Sequence, residues 1–290
     1  MPNVLLTRLT KALDYKASPH DRRAIMPHIS DTQLQMHTRC QVQWARRYLN
    51  DERHPPGIAL LVGSGYHVGA ETNFRQKIDS WTDLPLPDVV DAAVEGFKNR
   101  MVEDSFVLSD DEKTVGASII VGRAIDQTAI MAAAFRGAVA GDYQPTAVEV
   151  SVDIPLAGTE YTFATVSDLW DLAGRVVDFK TAARPDRHAA DDSLQLTAYA
   201  AAYTRHHAGK APSGVVLDRM IKTAVPTREL QTTTRTPAHF DILAARINVM
   251  LASIKTGIFT PAPVGSWWCS KRFCGYATTC PYYQGRPNNA

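Results

Sequence analysis

A chain of 290 residues with 45% hydrophobic and 21% charged residues is long and apolar enough to bury a sizeable core, which excludes an intrinsically disordered protein. Thirty-one lysines and arginines against thirty aspartates and glutamates leave a formal charge of +1, so affinity for a polyanion has to come from a local patch rather than a global field. No run of eighteen apolar residues occurs, and MPNVLLTRLTKALDYK lacks the apolar stretch of a secretory signal, so a cytoplasmic protein with no membrane partner is expected.

No internal repeat or low-complexity segment is present, and the breaks are short: HPPG (54–57), DLPLPD (83–88), GDYQP (141–145) and TPAPVG (260–265). One domain, 1–290, is expected, with a helical N-terminal part over about 1–142, a sheet core over about 143–258 and a cysteine-rich segment, 259–290. Acidic starts and helix-spaced apolar positions predict helices over Asp31–Asn50, Gly57–Ser80, PDVVDAAVEGFKNRM and SDDEKTVGASIIVGRAIDQTAIMAAAFRGA. The period then changes. TAVEVSVDIPL, TEYTFATVSDLW and RVVDFKT are β-branched runs separated by turns at Ala157-Gly158 and Ala173-Gly174, and they read as a three-stranded meander. A helix follows, SLQLTAYAAAYTRHH, started by Asp191, Asp192 and Ser193; then a strand, SGVVLDRMIK, and a last helix, HFDILAARINVMLASIK. The fold class is α/β.

The run VVDFKTAARP places an aspartate and a lysine two residues apart on a strand apolar enough to be buried. Side chains alternate on a strand, so Asp178 and Lys180 share one face while Val177 and Phe179 face the core. The turn at Asp171–Gly174 folds the preceding strand back and brings Asp168 to within about one residue of the position opposite Asp178. Two converging carboxylates are stable only with a cation between them or a shared proton, and oxygen ligands suit Mg2+ or Mn2+. Lys180 beside such an ion is suited to orient a water and to offset charge on a phosphate under attack. Taken alone, D-x-K is also the pattern of a solvated surface hairpin with an ordinary ion pair. Two neighbours bear on the choice. In GSGYHVGAE, His67 stands among small residues that let a backbone or a metal approach, with Glu71 one turn on; Gln195 and Tyr199, four apart, share one face of the helix after the strand. Glu149, on the first strand of the meander, reads as a solvated strand residue, with an accessory carboxylate as the alternative.

His67 in G-x-x-x-H-x-x-x-E, then Asp168, then D-F-K at 178–180, then Q-L-T-A-Y at 195–199 resembles, in order and spacing, the RecB-like branch of the PD-(D/E)XK nucleases. The resemblance implies a restriction-endonuclease-like core, a central mixed sheet flanked by helices. It also implies that His67, Asp168, Asp178 and the Phe179 carbonyl hold Mg2+ or Mn2+, that Lys180 assists the attacking water, and that Gln195 and Tyr199 support the site and contact DNA.

All four cysteines of the chain fall into one pattern: Cys269, Cys274 and Cys280 at C-x4-C-x5-C, and Cys40 far upstream in MHTRCQVQWARRYL. Four thiolates suit a 4Fe-4S cluster or a structural zinc. The layout looks like that of the CRISPR-associated exonucleases, AddB-type nuclease domains and exonuclease V relatives, which implies a cluster joining the N-terminal helices to a C-terminal iron-sulfur tail. Arg46, Arg47, Lys271 and Arg272 lie beside Trp267, Trp268, Tyr282 and Tyr283, residue types that track phosphates and stack unpaired bases, or that shield a cluster from solvent. The expected function is a metal-dependent DNA exonuclease acting on single-stranded or free ends in repair, recombination or CRISPR-type processing, with helicase, recombination or CRISPR proteins as partners. The competing expectation is a non-catalytic DNA-end-binding iron-sulfur subunit of a larger machine.

Overall fold

Val176, Val177, Asp178 and Phe179 are each 2% exposed or less, and the strand that carries them organises the sheet. In the computed structural model, which describes residues 27–283, this strand is β4, Arg175–Ala182. Its parallel neighbour β5, Gly214–Ile221, pairs with it along all eight residues and is buried throughout. A parallel pair needs a crossover, here helix α7, Leu194–His206. Beyond β5 lies the antiparallel edge strand β6, Thr227–Thr233; on the other side of β4 comes β3, Thr162–Asp171, antiparallel, and then β2, Pro145–Pro155. The result is the expected mixed sheet, with β2, β3 and β4 as the expected meander. Its turns place Gly158 and Gly174 at φ 75° and 78°, where a side chain would be strained.

Two compact units divide the chain. The larger comprises 54–152 and 165–236 and holds helices α3, Ile58–Ser80, α4, Leu86–Asp104, α5, Asp110–Val115, and α6, Ala117–Ala138, as well as α7 and most of the sheet. Its core is a ring cluster. Phe179 stacks on Phe74 with centroids 5.4 Å apart and meets Phe135 and Tyr143 edge-on at 6.0 and 5.6 Å. Helix α6 is long and apolar enough, by length and composition alone, to cross a membrane; its Met131, Ala132 and Phe135 are buried in this core.

The smaller unit contains, among the described residues, 27–53, 153–164 and 237–283. Here β1, His28–Ser30, pairs in parallel with Thr162–Ala164, and helices α1, Asp31–Arg39, α2, Gln41–Tyr48, and α8, Pro237–Thr256, carry the cysteine-rich tail. Residues 1–26 of the expected helical part and 284–290 of the cysteine-rich segment lie outside the described residues.

The structure departs from the sequence reading at two helices and two strands. The helix expected over Asp31–Asn50 is two helices, because Cys40 is extended (φ −162°) and its sulfur accepts the Gln43 N–H at 3.4 Å, which makes a thiol the N-cap of α2. The long helix after Asp104 is likewise two, broken at Gly116 with φ 103°. Strands β1 and β6 were not expected: β6 is a polar edge, TRELQTT, held by pairing with β5 and not by an apolar pattern.

Glycines on α3 set its distance from α4. A Cβ on Gly65 would stand 2.7 Å from the Ala93 carbonyl oxygen, against open space at Gly122 on α6. Gly65→Ala therefore gains about 1 kcal/mol of helix propensity but loses about 1–3 kcal/mol to overpacking. Urea denaturation should show Gly65→Ala destabilised and Gly122→Ala stabilised by up to about 1 kcal/mol.

Candidate active site

Strands β3 and β4 pair at Leu169↔Val177 and Trp170↔Val176, a register that sets Asp168 opposite Asp178. Pairing stops there. The Phe179 N–H, instead of finding a β3 carbonyl, donates to Asp168 Oδ2 at 2.7 Å. Asp168 thus sits at the fork where the two strands separate. Helix α3 brings His67 to the same point, with Nδ1 3.6 Å from Asp168 Oδ2. Lys180, two residues past Asp178 on the same side of β4, donates from Nζ to Asp178 Oδ1 at 2.7 Å. His67, Asp168 and Lys180 line a cleft of about 930 Å³, together with Gly63, Glu71 and Glu149. Asp178 itself is 1% exposed and is not among the lining side chains; it meets the cleft through Lys180.

Burial and crowding of like charge govern the electrostatics. Burial raises the Asp178 carboxyl to about 6 even though the Lys180 ammonium pulls it down; the Asp168 charge pushes it up further. Burial, then Lys180, lowers His67 to about 4, so the imidazole is neutral at neutral pH and has a ring nitrogen lone pair to offer. Glu71 contributes charge to this site, but its carboxylate is bound to Arg75 Nε at 2.7 Å. The small residues around His67 serve mainly packing: Gly65 and Gly69 face α4, while Gly63 faces Thr181 of β4, 3.3 Å from where its Cβ would be.

Of the two sequence readings of Glu149, solvated strand residue or accessory carboxylate, its position lining the cleft goes against the first. Its backbone has φ 51°, a left-handed kink in β2 that re-aims the side chain, and burial, then Asp168 and Glu71, raises its carboxyl to about 7. No residue type in TAVEVSV signals that kink. Arg100 and Lys222 also line the cleft and were not anticipated. Gln195 and Tyr199 meet each other on α7, Nε2 to Oη at 2.8 Å, with Tyr199 2% exposed; neither is among the side chains lining the cleft.

Among the described residues, no three histidine, cysteine or acidic side chains already close round a common point. The donor set nevertheless suits a hard divalent cation: carboxylates of Asp168 and Asp178, a neutral imidazole, and the Asp178 and Glu149 carboxyls raised first by burial and then by neighbouring acidic charge, a penalty a cation relieves. Asp178 would have to exchange Lys180 for the ion, since the ammonium holds its Oδ1.

In the smaller unit all four cysteines are free thiols lining one small cavity with Arg46, Trp268 and Tyr276. Burial pushes the Cys274 thiol up, and the other three cysteines add to the rise. Thiolates crowded in this way suit a soft metal. The same residues are also joined without one: Arg46 Nη2 donates to Thr279 Oγ1 at 2.8 Å, its guanidinium lies 4.7 Å from the Tyr276 ring centroid, and the Tyr276 hydroxyl donates to the Glu52 carbonyl.

A mixed sheet flanked by helices, with two aspartates facing across a strand fork and a lysine beside them, defines a nuclease of the restriction-endonuclease-like class. The chain belongs to the PD-(D/E)XK nuclease superfamily, whose sequence profile matches residues 28–281. Nucleases of this superfamily generally use divalent metals such as Mg2+ or Mn2+. A solved structure of a candidate exonuclease from Eubacterium rectale superposes with a TM-score of 0.51 at 14% sequence identity, over 86% of this chain and 91% of that one. The structure of SSO0001 aligns over 97% and 96% of the two chains at 13% identity with a TM-score of 0.42. The first likeness, at 14% identity, speaks to fold alone. No match was found among curated proteins.

Glu149 gives a pH test with a defined sign. Its folded carboxyl titrates near 7 and the unfolded one near 4.5, so the folded state holds the proton longer and the parent loses stability as pH rises across that window. Without divalent cations, Glu149→Gln should lack this loss. The urea midpoint of the variant minus that of the parent should therefore grow between pH 4.5 and pH 7 and level off above.

Proposed function

We propose that the chain is a divalent-metal-dependent deoxyribonuclease of the RecB-like type, an exonuclease acting on DNA with single-stranded or free ends. The observation that supports this most is the meeting of His67, Asp168, Asp178 and Lys180 at the fork of β3 and β4, in an open cleft. His67, Asp168, Asp178 and the Phe179 carbonyl would hold Mg2+ or Mn2+, which supplies Lewis acidity toward the phosphoryl oxygens and an acidified water. Lys180 orients the attacking water and offsets charge on the phosphoryl oxygens. A bond forms from water oxygen to phosphorus, the ester P–O bond breaks, and the water's proton leaves as the departing alkoxide is protonated. Gln195 and Tyr199 support β4 from α7 through their mutual hydrogen bond. The match over 28–281 takes in residues of both units, and the reading treats them as one nuclease domain in the cytoplasm. Helicase, recombination or CRISPR proteins are the partners this reading anticipates.

Asp178→Asn and Lys180→Met should each lower kcat on single-stranded DNA by about 100-fold or more while melting with the parent. Either variant cutting as well as the parent sinks the assignment. A parent that binds strands and leaves them intact in both Mg2+ and Mn2+ is instead a DNA-end-binding subunit.

For Cys40, Cys269, Cys274 and Cys280 the proposed occupant is a 4Fe-4S cluster. Zinc is the second reading, since four thiolates also suit a structural zinc. Anaerobically purified protein should be brown and contain about four irons per chain if the cluster is right; a colourless protein with one zinc selects the alternative. Cys274→Ser should lower the melting temperature in either case.

A further inference from the structure

The cleft holds three lysine or arginine side chains, and two of them are committed. Lys180 is bound to Asp178, and Arg100 to Asp104 at 2.8 Å, with Glu103 beside it. Lys222 is different. It follows the last residue of β5, its backbone N–H donates to the Ala182 carbonyl at 2.7 Å, and its side chain enters the cleft beside Thr181 and Gly63. No described carboxylate pairs with it: its one polar contact is the Ala59 carbonyl oxygen at 3.5 Å. Half-burying an ammonium without an anion is costly, and burial lowers its pKa accordingly. A cation held in this way inside a cleft otherwise rich in carboxylates is complementary to an anion that arrives with the substrate.

Register says which anion. Lys180 stands opposite Arg219, and Ile221 opposite Ala182, so Lys222 lies three residues further along and one strand over. Strand geometry makes that offset about 11 Å between α-carbons. We propose that Lys222 binds a backbone phosphate of the DNA strand flanking the scissile one, a second phosphate site that fixes how far the strand is drawn past Lys180. This rests on the nuclease reading above. Lys222 is a positioning residue; it does not act on the breaking bond.

The test is binding of a fluorescein-labelled single-stranded oligonucleotide in EDTA, where no cutting occurs. Lys222→Met should weaken binding about tenfold at low salt and reduce the slope of log K against log salt by about one; Lys222→Arg should restore both. Oligonucleotides carrying one neutral methylphosphonate, moved along the strand, should reveal one position that weakens the parent but not Lys222→Met. Unchanged affinity and slope in a folded Lys222→Met overturns the proposal, as does a variant weakened at every position like the parent. Should Lys222→Met lose its thermal transition, Lys222→Gln carries the same comparison. Failure of the nuclease reading looks different: the parent binds the strand but does not cut it in Mg2+ or Mn2+, and the salt slope still decides the phosphate site. A parent that does not bind overturns both.

Discussion

The hydrogen bond from the Phe179 backbone to the Asp168 carboxylate is the constraint on which the site depends. Where β4 parts from β3, its N–H groups on that side lose their ladder partners, and an orphaned buried donor costs about 1–3 kcal/mol. The Asp168 side chain stands in for the missing carbonyl. A charge-assisted bond of this kind fixes the carboxylate more firmly than rotamer preference alone. The fork and the orientation of Asp168 are therefore one feature: the acid is aimed because the sheet opens, and the sheet can open because the acid satisfies it.

Everything behind the fork is arranged to keep β4 still. Phe179 is locked among Phe74, Phe135 and Tyr143, and β5 pairs with β4 along its whole length. Edge-to-face and offset aromatic contacts add roughly 0.5–1.5 kcal/mol each beyond area burial, so the strand carrying Asp178 and Lys180 is held by its core face. Helix α3 meets the same ring cluster through Phe74 and carries His67 two turns earlier, which ties the imidazole to the packing that positions the aspartates. A site mounted on rigid elements keeps its geometry without help from loops.

Alternation around Asp178 and Lys180, the turn that faces Asp168 to Asp178, and the apolar role of Phe179 were all legible from residue types alone, since strand period and turn chemistry are local. The four-cysteine grouping was legible too, as a composition anomaly. What stayed hidden depends on backbone conformation or on tertiary pairing. Glu149 points into the cleft because of a positive φ that its sequence neighbourhood does not encode, and Lys222 matters through the partner it lacks. Strand β6 is polar because an edge strand has one neighbour and a solvated flank, so no alternation marked it. The break at Cys40 was missed for a different reason: a thiol is a weak acceptor and an uncommon N-cap, so a continuous helix was the natural reading.

Two aspartates on adjacent strands, almost equally buried, have different surroundings. Asp218 of β5 is 0% exposed and accepts from the Tyr143 hydroxyl at 2.8 Å and from Arg228 Nη2 at 2.6 Å, while Arg228 also holds Asp142 and the Ala138 carbonyl. Every partner there is protein, and the network ties β5 to β6 and to the end of α6; breaking it would leave an uncompensated charge in the core. Asp178 of β4 is almost as buried, yet its side chain pairs with Lys180, whose own side chain is 37% exposed and lines the cleft. Burial raises the Asp178 carboxyl toward neutrality, Lys180 pulls it back, and the Asp168 charge adds to the rise. The difference lies in completeness: the Asp218 carboxylate is saturated by several partners of its own chain, whereas Asp178 is paired with a lysine that itself reaches the cleft.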